Sequence, residues 1–203
     1  MHHSGSDHSR QSWLQATGGI FVSKIILWNT GGVKLQVLPP SFFNRPVLEV
    51  APDLLGKYLV CGNKSAIITE TEAYDGPADL ASHASKGKTA RTAVMFGPPG
   101  RWYVYLIYGM YSMLNIVTGP ESYPAAVLIR GVEGINGPGK LTKQFGITRA
   151  FNNLPATTKT GLYLAEAKNI KHSMFNILQL PRVGVEYAGP IWSQKPWRFV
   201  LES

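Results

Sequence analysis

From Tyr58 onward the chain is a succession of short β-rich runs closed off by glycine or proline: Tyr58 to Cys61, Ala66 to Tyr74, Arg101 to Tyr108, Ser112 to Val117 and Ala125 to Val132. Apolar and β-branched runs of this length, punctuated by turn residues, read as strands, and the series reads as one curved antiparallel sheet. Arg182 to Tyr187 and Trp197 to Leu201 extend the pattern. Ahead of it, Phe42-Phe43, Val47, Val50, Leu54 and Leu55 space as an apolar helical stripe that stops at Gly56. A short helix is expected after Pro138-Gly139, with Leu141 and Phe145 on one face and Gly146 at its end. The fold class expected is α+β and β-rich: a single domain over residues 38–203 with a curved, open-barrel-like antiparallel sheet, peripheral helices and a protruding β-hairpin. Residues 1–37 mix His, Ser, Gln and Gly without a sustained period and read as a poorly ordered N-terminal extension.

Composition agrees with one compact core. At 203 residues, with 44% hydrophobic and 16% charged side chains, the chain can bury enough apolar surface to offset its ordering entropy. Cys61 is the only cysteine, so no internal disulfide forms and a reducing compartment fits. The apolar run around Gly19 to Trp28 is broken by Ser23 and Lys24 and falls short of the ~20 residues of a membrane span. No membrane partner is expected.

The strand from Ala66 to Tyr74 carries the chemistry. Strand side chains alternate faces, so Ile68, Glu70, Glu72 and Tyr74 are expected on one side. Two carboxylates on a solvated face would need no explanation. A tyrosine beside them, followed by Asp75-Gly-Pro and by His83, makes the lip of a pocket the more attractive reading. A carboxylate held against aromatic surface is partly desolvated, which raises its basicity and suits it to deprotonating water. Pattern alone does not separate Glu70 from Glu72 in that role.

Tyr103-Val-Tyr-Leu-Ile-Tyr-Gly-Met-Tyr-Ser-Met-Leu-Asn115 reads as two strands meeting at Gly109-Met110, as a two-residue type II′ hairpin turn would have it. Its tip would carry Tyr108, Met110 and Tyr111. Large apolar groups at a turn either pack under a neighbouring loop or serve as a binding wedge. Charge argues for the wedge. Twenty Lys+Arg against twelve Asp+Glu leave a net charge of +8. No acid falls between Asp79 and Glu121, where Lys86, Lys88, Arg91 and Arg101 lie, nor between Glu133 and Glu166, where Lys140, Lys143, Arg149 and Lys159 lie. Basic stretches flanking an aromatic hairpin suit a surface that tracks phosphates and stacks on bases, favouring nucleic acid over membrane. Outside the N-terminal region only His83 and His172 occur, and HExxH, phosphate-cradling and dinucleotide motifs are missing, which speaks against metal hydrolysis and nucleotide-cofactor chemistry.

Six segments in order carry a family resemblance: Glu70-Thr-Glu-Ala-Tyr74; Ala81-Ser-His83; Met95-Phe-Gly-Pro-Pro-Gly100; Tyr103 to Tyr111 with Asn115; Ala126-Val-Leu-Ile-Arg130; and Gly137-Pro-Gly-Lys-Leu141. Together they resemble the alkyladenine (methylpurine) DNA glycosylase family over about Leu38 to Leu201. The resemblance implies a monofunctional glycosylase of base excision repair that acts on double-stranded DNA. It would flip alkylated or deaminated purines and hydrolyse the N-glycosidic bond, leaving an abasic site, without metal or organic cofactor. By the same resemblance, Glu72 is the general base that activates water. Arg130 lies near that water and the damaged nucleotide's phosphate. Tyr74, His83 and Tyr105 hold the extruded base, and Asn115 discriminates against guanine-type exocyclic groups. Tyr108, with Met110 and Tyr111 beside it, enters the duplex, and Arg91, Gly139 and Lys140 meet the DNA backbone. A monomer is expected, cytoplasmic and nucleoid-associated in a bacterium or nuclear in a eukaryote. The stretch between Arg130 and Pro138 is short where larger relatives carry a long insertion. Two rival readings remain at this point: a non-catalytic nucleic-acid-binding β domain, and a metal-dependent hydrolase built on Glu70, Glu72 and His83.

Overall fold

The computed structural model describes residues 27–28, 35–167 and 176–202; most of residues 1–37, and His172, lie outside them. Sheet dominates. Its strands are β1 (Leu27–Trp28), β2 (Leu35–Val37), β3 (Tyr58–Cys61), β4 (Lys64–Asp75), β5 (Trp102–Ile107), β6 (Tyr111–Thr118), β7 (Ala125–Val132), β8 (Ile135–Asn136), β9 (Leu162–Ala167), β10 (Ile177–Leu180) and β11 (Arg198–Leu201). The helices are short: α1 (Pro40–Phe43), α2 (Val47–Asp53), α3 (Pro138–Phe145) and α4 (Gly189–Ser193). The described strands run in the order β2-β9-β3-β4-β7-β6-β5, and their pairings are antiparallel. This is the β-rich α+β domain with a curled sheet and peripheral helices that the strand pattern predicts.

β4 is the spine. Its first residues pair with β3, while its later ones pair with β7 on one edge and with β11 on the other, Glu72 lying opposite both Leu128 and Arg198. Between Ile68 and Thr71 the register against β7 shifts. Each strand carries one extra residue there, first β4 and then β7, and an extra residue inverts the face on which every later side chain of its strand falls. Ala66 and Ile68 therefore join the core before the bulge, and Ala73 joins it after. Thr71 follows the same face, its hydroxyl donating to the Ala51 carbonyl in α2 at 2.9 Å. Strict alternation had put Ile68 beside Glu70, Glu72 and Tyr74; the bulge sends Ile68 inward and leaves the two acids and the tyrosine on the other face.

The core lies between this sheet and the helices, built on Phe43, Leu54, Leu59, Trp102, Leu114, Ile116, Ile129 and Leu141, all buried. Trp102 lies within it and places its indole N–H 3.0 Å from the Leu162 carbonyl, so its one polar atom is satisfied. α3 forms where expected, with Pro138 in its first turn, Leu141 and Phe145 buried and Gly146 left-handed at φ 71° as its stop.

Four local readings are corrected. The stripe from Phe42 to Leu55 is split into α1 and α2, because Pro46 has no N–H to give and disfavours helical backbone at Arg45. Arg182 to Tyr187 forms no strand, since Arg182 is pulled into a buried ion pair; the strand against β11 is β10. The hairpin turn has three residues, Tyr108 to Met110, with Tyr108 at φ 51° and Gly109 at φ 69°, because Ile107 pairs with Tyr111. β2 lies inside the stretch assigned to the extension, yet its Gln36 pairs with Glu166 of β9.

Candidate active site

Three elements converge on the side of β4 that faces away from the core: the β4 face itself, the β5–β6 hairpin, and the turn from Val183 to Val185. They enclose a cavity of about 500 Å³ lined by Tyr74, His83, Arg91, Tyr105, Tyr108, Asn115 and Arg130, with Tyr103, Val183 and Tyr187 among the further wall residues. Its volume falls within the range of small-ligand sites.

Glu72 lies just behind this wall rather than on it. Its side chain is 0% exposed, yet three groups that line the cavity hold its carboxylate. The Tyr74 hydroxyl donates to Oε2 at 2.9 Å, the Val183 N–H donates to Oε1 at 2.8 Å, and Arg130 Nη1 stands 3.4 Å from Oε1. Burial pushes its carboxyl above the ordinary range, against the opposing pull of Arg130, the Val183 N–H and the Tyr74 hydroxyl. Glu70 is placed differently: its Oε1 accepts from both Arg130 Nε and Arg198 Nη1, each at 3.0 Å. One carboxylate is thus spent on two guanidinium groups, while the other adjoins the cavity.

The aromatic wall is continuous. His83 and Tyr105 meet edge to face with centroids 4.6 Å apart, and Tyr103 lies 5.2 Å from Tyr105. A planar ring needs about 3.5 Å of clearance on each face, so it does not fit between His83 and Tyr105; the two form one wall. His83 Nδ1 is 3.2 Å from the Tyr103 hydroxyl, and burial together with Arg91 and Lys86 pushes its pKa down to about 4. At neutral pH it is an uncharged imidazole. Asn115 is fixed through its amide, which donates to the carbonyls of Tyr103 at 3.1 Å and Met113 at 3.2 Å.

At the hairpin tip Tyr108 is 89% exposed and Met110 68%, whereas Tyr111 leans onto α3. A Cβ at Gly139 would come within 3.1 Å of the Tyr111 ring, so glycine is what permits that contact. Gly139 thus lies under Tyr111, and Lys140 beside it is exposed. Arg91 stacks on the Tyr105 ring, its guanidinium carbon 4.9 Å from the centroid.

Sequence reasoning missed Arg182 and its partner Asp79. The two form a buried ion pair at 2.5 and 2.8 Å, and the guanidinium lies between the rings of Tyr74 and Trp197, 4.9 and 5.0 Å from their centroids. Neither residue sits in a periodic pattern; the lone acid in a small-residue stretch, Pro77 to Ser82, was the only cue. Tyr187 was also missed as a wall residue; its hydroxyl donates to the Ala81 carbonyl at 2.8 Å.

The model of the methylpurine-DNA glycosylase family matches residues 41–203. The chain belongs to that family. Among similar curated proteins, one from Methanocella arvoryzae is 47% identical over 81% of this chain and 92% of its own length, and is provisionally named a 3-methyladenine DNA glycosylase. Relatives from Ehrlichia ruminantium and from a Wolbachia of Brugia malayi, under the same provisional name, are 44% and 46% identical, each over 82% of this chain. Family membership makes the chain a DNA glycosylase, a hydrolase of N-glycosyl bonds that works in DNA repair, and sets aside the reading as a non-catalytic binding domain. Among the described residues no three His, Cys, Asp or Glu side chains converge, so Glu70, Glu72 and His83 do not assemble the donor set that a metal hydrolase would use. Nor is any described helix long and apolar enough to cross a membrane.

Proposed function

We propose that the protein is a monomeric, monofunctional glycosylase that flips alkylated or deaminated purines out of duplex DNA and hydrolyses their N-glycosidic bond, leaving an abasic site. The observation that carries this reading is a fully buried carboxylate, Glu72, held by three groups that line an aromatic cavity. A base inside a duplex is out of reach, so it is extruded at a cost of a few kcal/mol. Tyr108, standing out from the hairpin, replaces part of the lost stacking, worth roughly 1–3 kcal/mol. Mispaired and damaged bases flip most readily.

Within the cavity Tyr74, His83 and Tyr105 receive the base. Neutral His83 can accept or donate a hydrogen bond without adding charge, and Asn115 reads the base edge. As the bond to the sugar lengthens, cationic character develops on the sugar. Glu72 stabilises it and takes the proton of the attacking water, a contribution of typically about 10²–10⁴-fold. Arg130, bridging Glu70 and Glu72, opposes the rise that burial imposes on the Glu72 carboxyl and so favours its anion. An alkylated purine already carries positive charge and leaves without an acid, so for that class one working carboxylate suffices. Exposed Lys140 and the basic stretches around it meet the phosphates.

Glu72→Gln is expected to keep its affinity for lesion-bearing duplex while single-turnover release of free base falls by about 10²-fold or more. Glu70→Gln is expected to keep more of its rate. If Glu70→Gln is the dead variant and Glu72→Gln the active one, the assignment of the base is wrong.

A further inference from the structure

Among the described residues, the cavity wall carries a cation, Arg91, that no carboxylate pairs with. Arg130 is engaged by Glu70 and Glu72, and Arg182 by Asp79. Arg91 is different. Among the described residues no carboxylate reaches it, and the sequence holds no acid between Asp79 and Glu121. Its guanidinium turns instead to the cavity, 4.9 Å from the Tyr105 ring centroid, with Nη2 3.4 Å from His83 Nε2. Its charge is felt there, as one of the causes that hold His83 uncharged. One face of the Tyr105 ring is therefore covered by a planar cation, similar in charge and flatness to an N-alkylated purine, while the cavity beside it stays open.

Resting on the purine-glycosylase reading above, we propose that Arg91 sets the charge selectivity of the cavity. While it lies on Tyr105 the site accepts neutral purines and repels cationic, N-alkylated ones, and a DNA phosphate that draws Arg91 off the ring opens the site to the cationic class. A like charge about 5 Å away, at an effective dielectric of about 20, disfavours a cation by roughly 250-fold. Arg91 is exposed, and solvent screening reduces this to the order of tenfold. The electron-rich face that Arg91 uncovers when it leaves is itself a cation site. Its departure thus removes a repulsion and supplies an attraction together.

The test uses the whole protein as wild type, Arg91→Ala and Arg91→Gln. Dissociation constants are measured by tyrosine fluorescence for 7-methylguanosine, cationic in mildly acidic buffer, and for neutral inosine. Both variants are expected to tighten 7-methylguanosine on the order of tenfold relative to inosine. Arg91→Gln matters because it keeps bulk and loses charge. If Arg91→Ala tightens both nucleosides equally and Arg91→Gln neither, Arg91 is a steric plug and the proposal falls. An unchanged ratio in both variants, or no saturable binding of either nucleoside to any of the three proteins, overturns it too. In lesion-bearing duplex the preference for 7-methylguanine over hypoxanthine is expected to move less than the nucleoside ratio; an equally large shift there removes the phosphate step. Base release by the wild type from the same duplexes separates the two levels: if no lesion is released, the glycosylase reading itself fails, whatever the nucleosides do.

Discussion

At the scale of single residues, the site is a contrast between a carboxylate raised by burial and a histidine lowered by it. As the proposed base Glu72 would work as the anion, so activity is expected to fall as pH drops through its raised value, with the acid limb of the rate profile above the ordinary carboxylate range. Tyr74→Phe removes one of the hydrogen bonds that oppose this rise. The acid limb of single-turnover base release is therefore expected to move to still higher pH in that variant, and a limb that stays put would show that Tyr74 does not tune Glu72. His83 contributes no inflection near its ordinary value of 6.5, because it is already neutral well below it. Much of this site was legible: residue type and spacing alone marked Glu70, Glu72, Tyr74 and His83. The choice between the acids was not, because it depends on Arg198 and Val183, more than 100 residues away in the chain. No local pattern encodes which carboxylate a distant guanidinium consumes.

At the scale of elements, the β5–β6 hairpin is a braced lever. Thr142 of α3 donates to the Ser112 carbonyl at 2.9 Å, and Tyr111 rests on Gly139, so α3 holds the second strand from beneath. Tyr108 is then presented on a supported arm, its backbone left-handed at φ 51°, a conformation that disfavours a bulky side chain and that the closed turn imposes. Tyr108→Ala is expected to raise the dissociation constant for lesion-bearing duplex by about 5- to 150-fold, the equivalent of one lost stacking contact. Tyr108 also edges the cavity, but free nucleoside binding should change far less than duplex binding, and equal losses on both ligands would mean that it acts as a cavity wall and not as a wedge. The strands and α3 were readable because apolar periodicity and Gly or Pro punctuation are local signals. The β4 bulge and the three-residue turn were not. Each adds one residue whose place is decided by a partner strand, and period-two counting across such a point assigns the following side chains to the wrong face.

At the scale of the whole molecule, Arg182 joins parts of the chain that have no local reason to meet. It pairs with Asp79, donates to the Ala73 carbonyl at 2.9 Å, and precedes the Val183 N–H that holds Glu72. Asp79 in turn accepts from the N–H groups of Asp75 and Ala81, both at 3.1 Å, fixing the turn that leads to His83. Both members of the pair are fully buried, so removing one strands the other in a low-dielectric interior, a loss of about 3–5 kcal/mol. For a domain of this size that corresponds to a fall in Tm of roughly 6–20 °C in Arg182→Met. Asp79→Asn should fall comparably. The double variant Asp79→Asn, Arg182→Met removes both charges and is expected to recover part of the loss, because an uncompensated charge costs more than a missing pair. Thermal unfolding of the four proteins measures this coupling, and strictly additive losses would show that the two residues do not act together. Base release should separate from stability in the same set. Recovered Tm does not restore the guanidinium that lies between Tyr74 and Trp197 next to Val183, so the double variant is expected to melt above either single variant yet cleave slowly. Full recovery of both would reduce Arg182 to a packing element with no hold on Glu72.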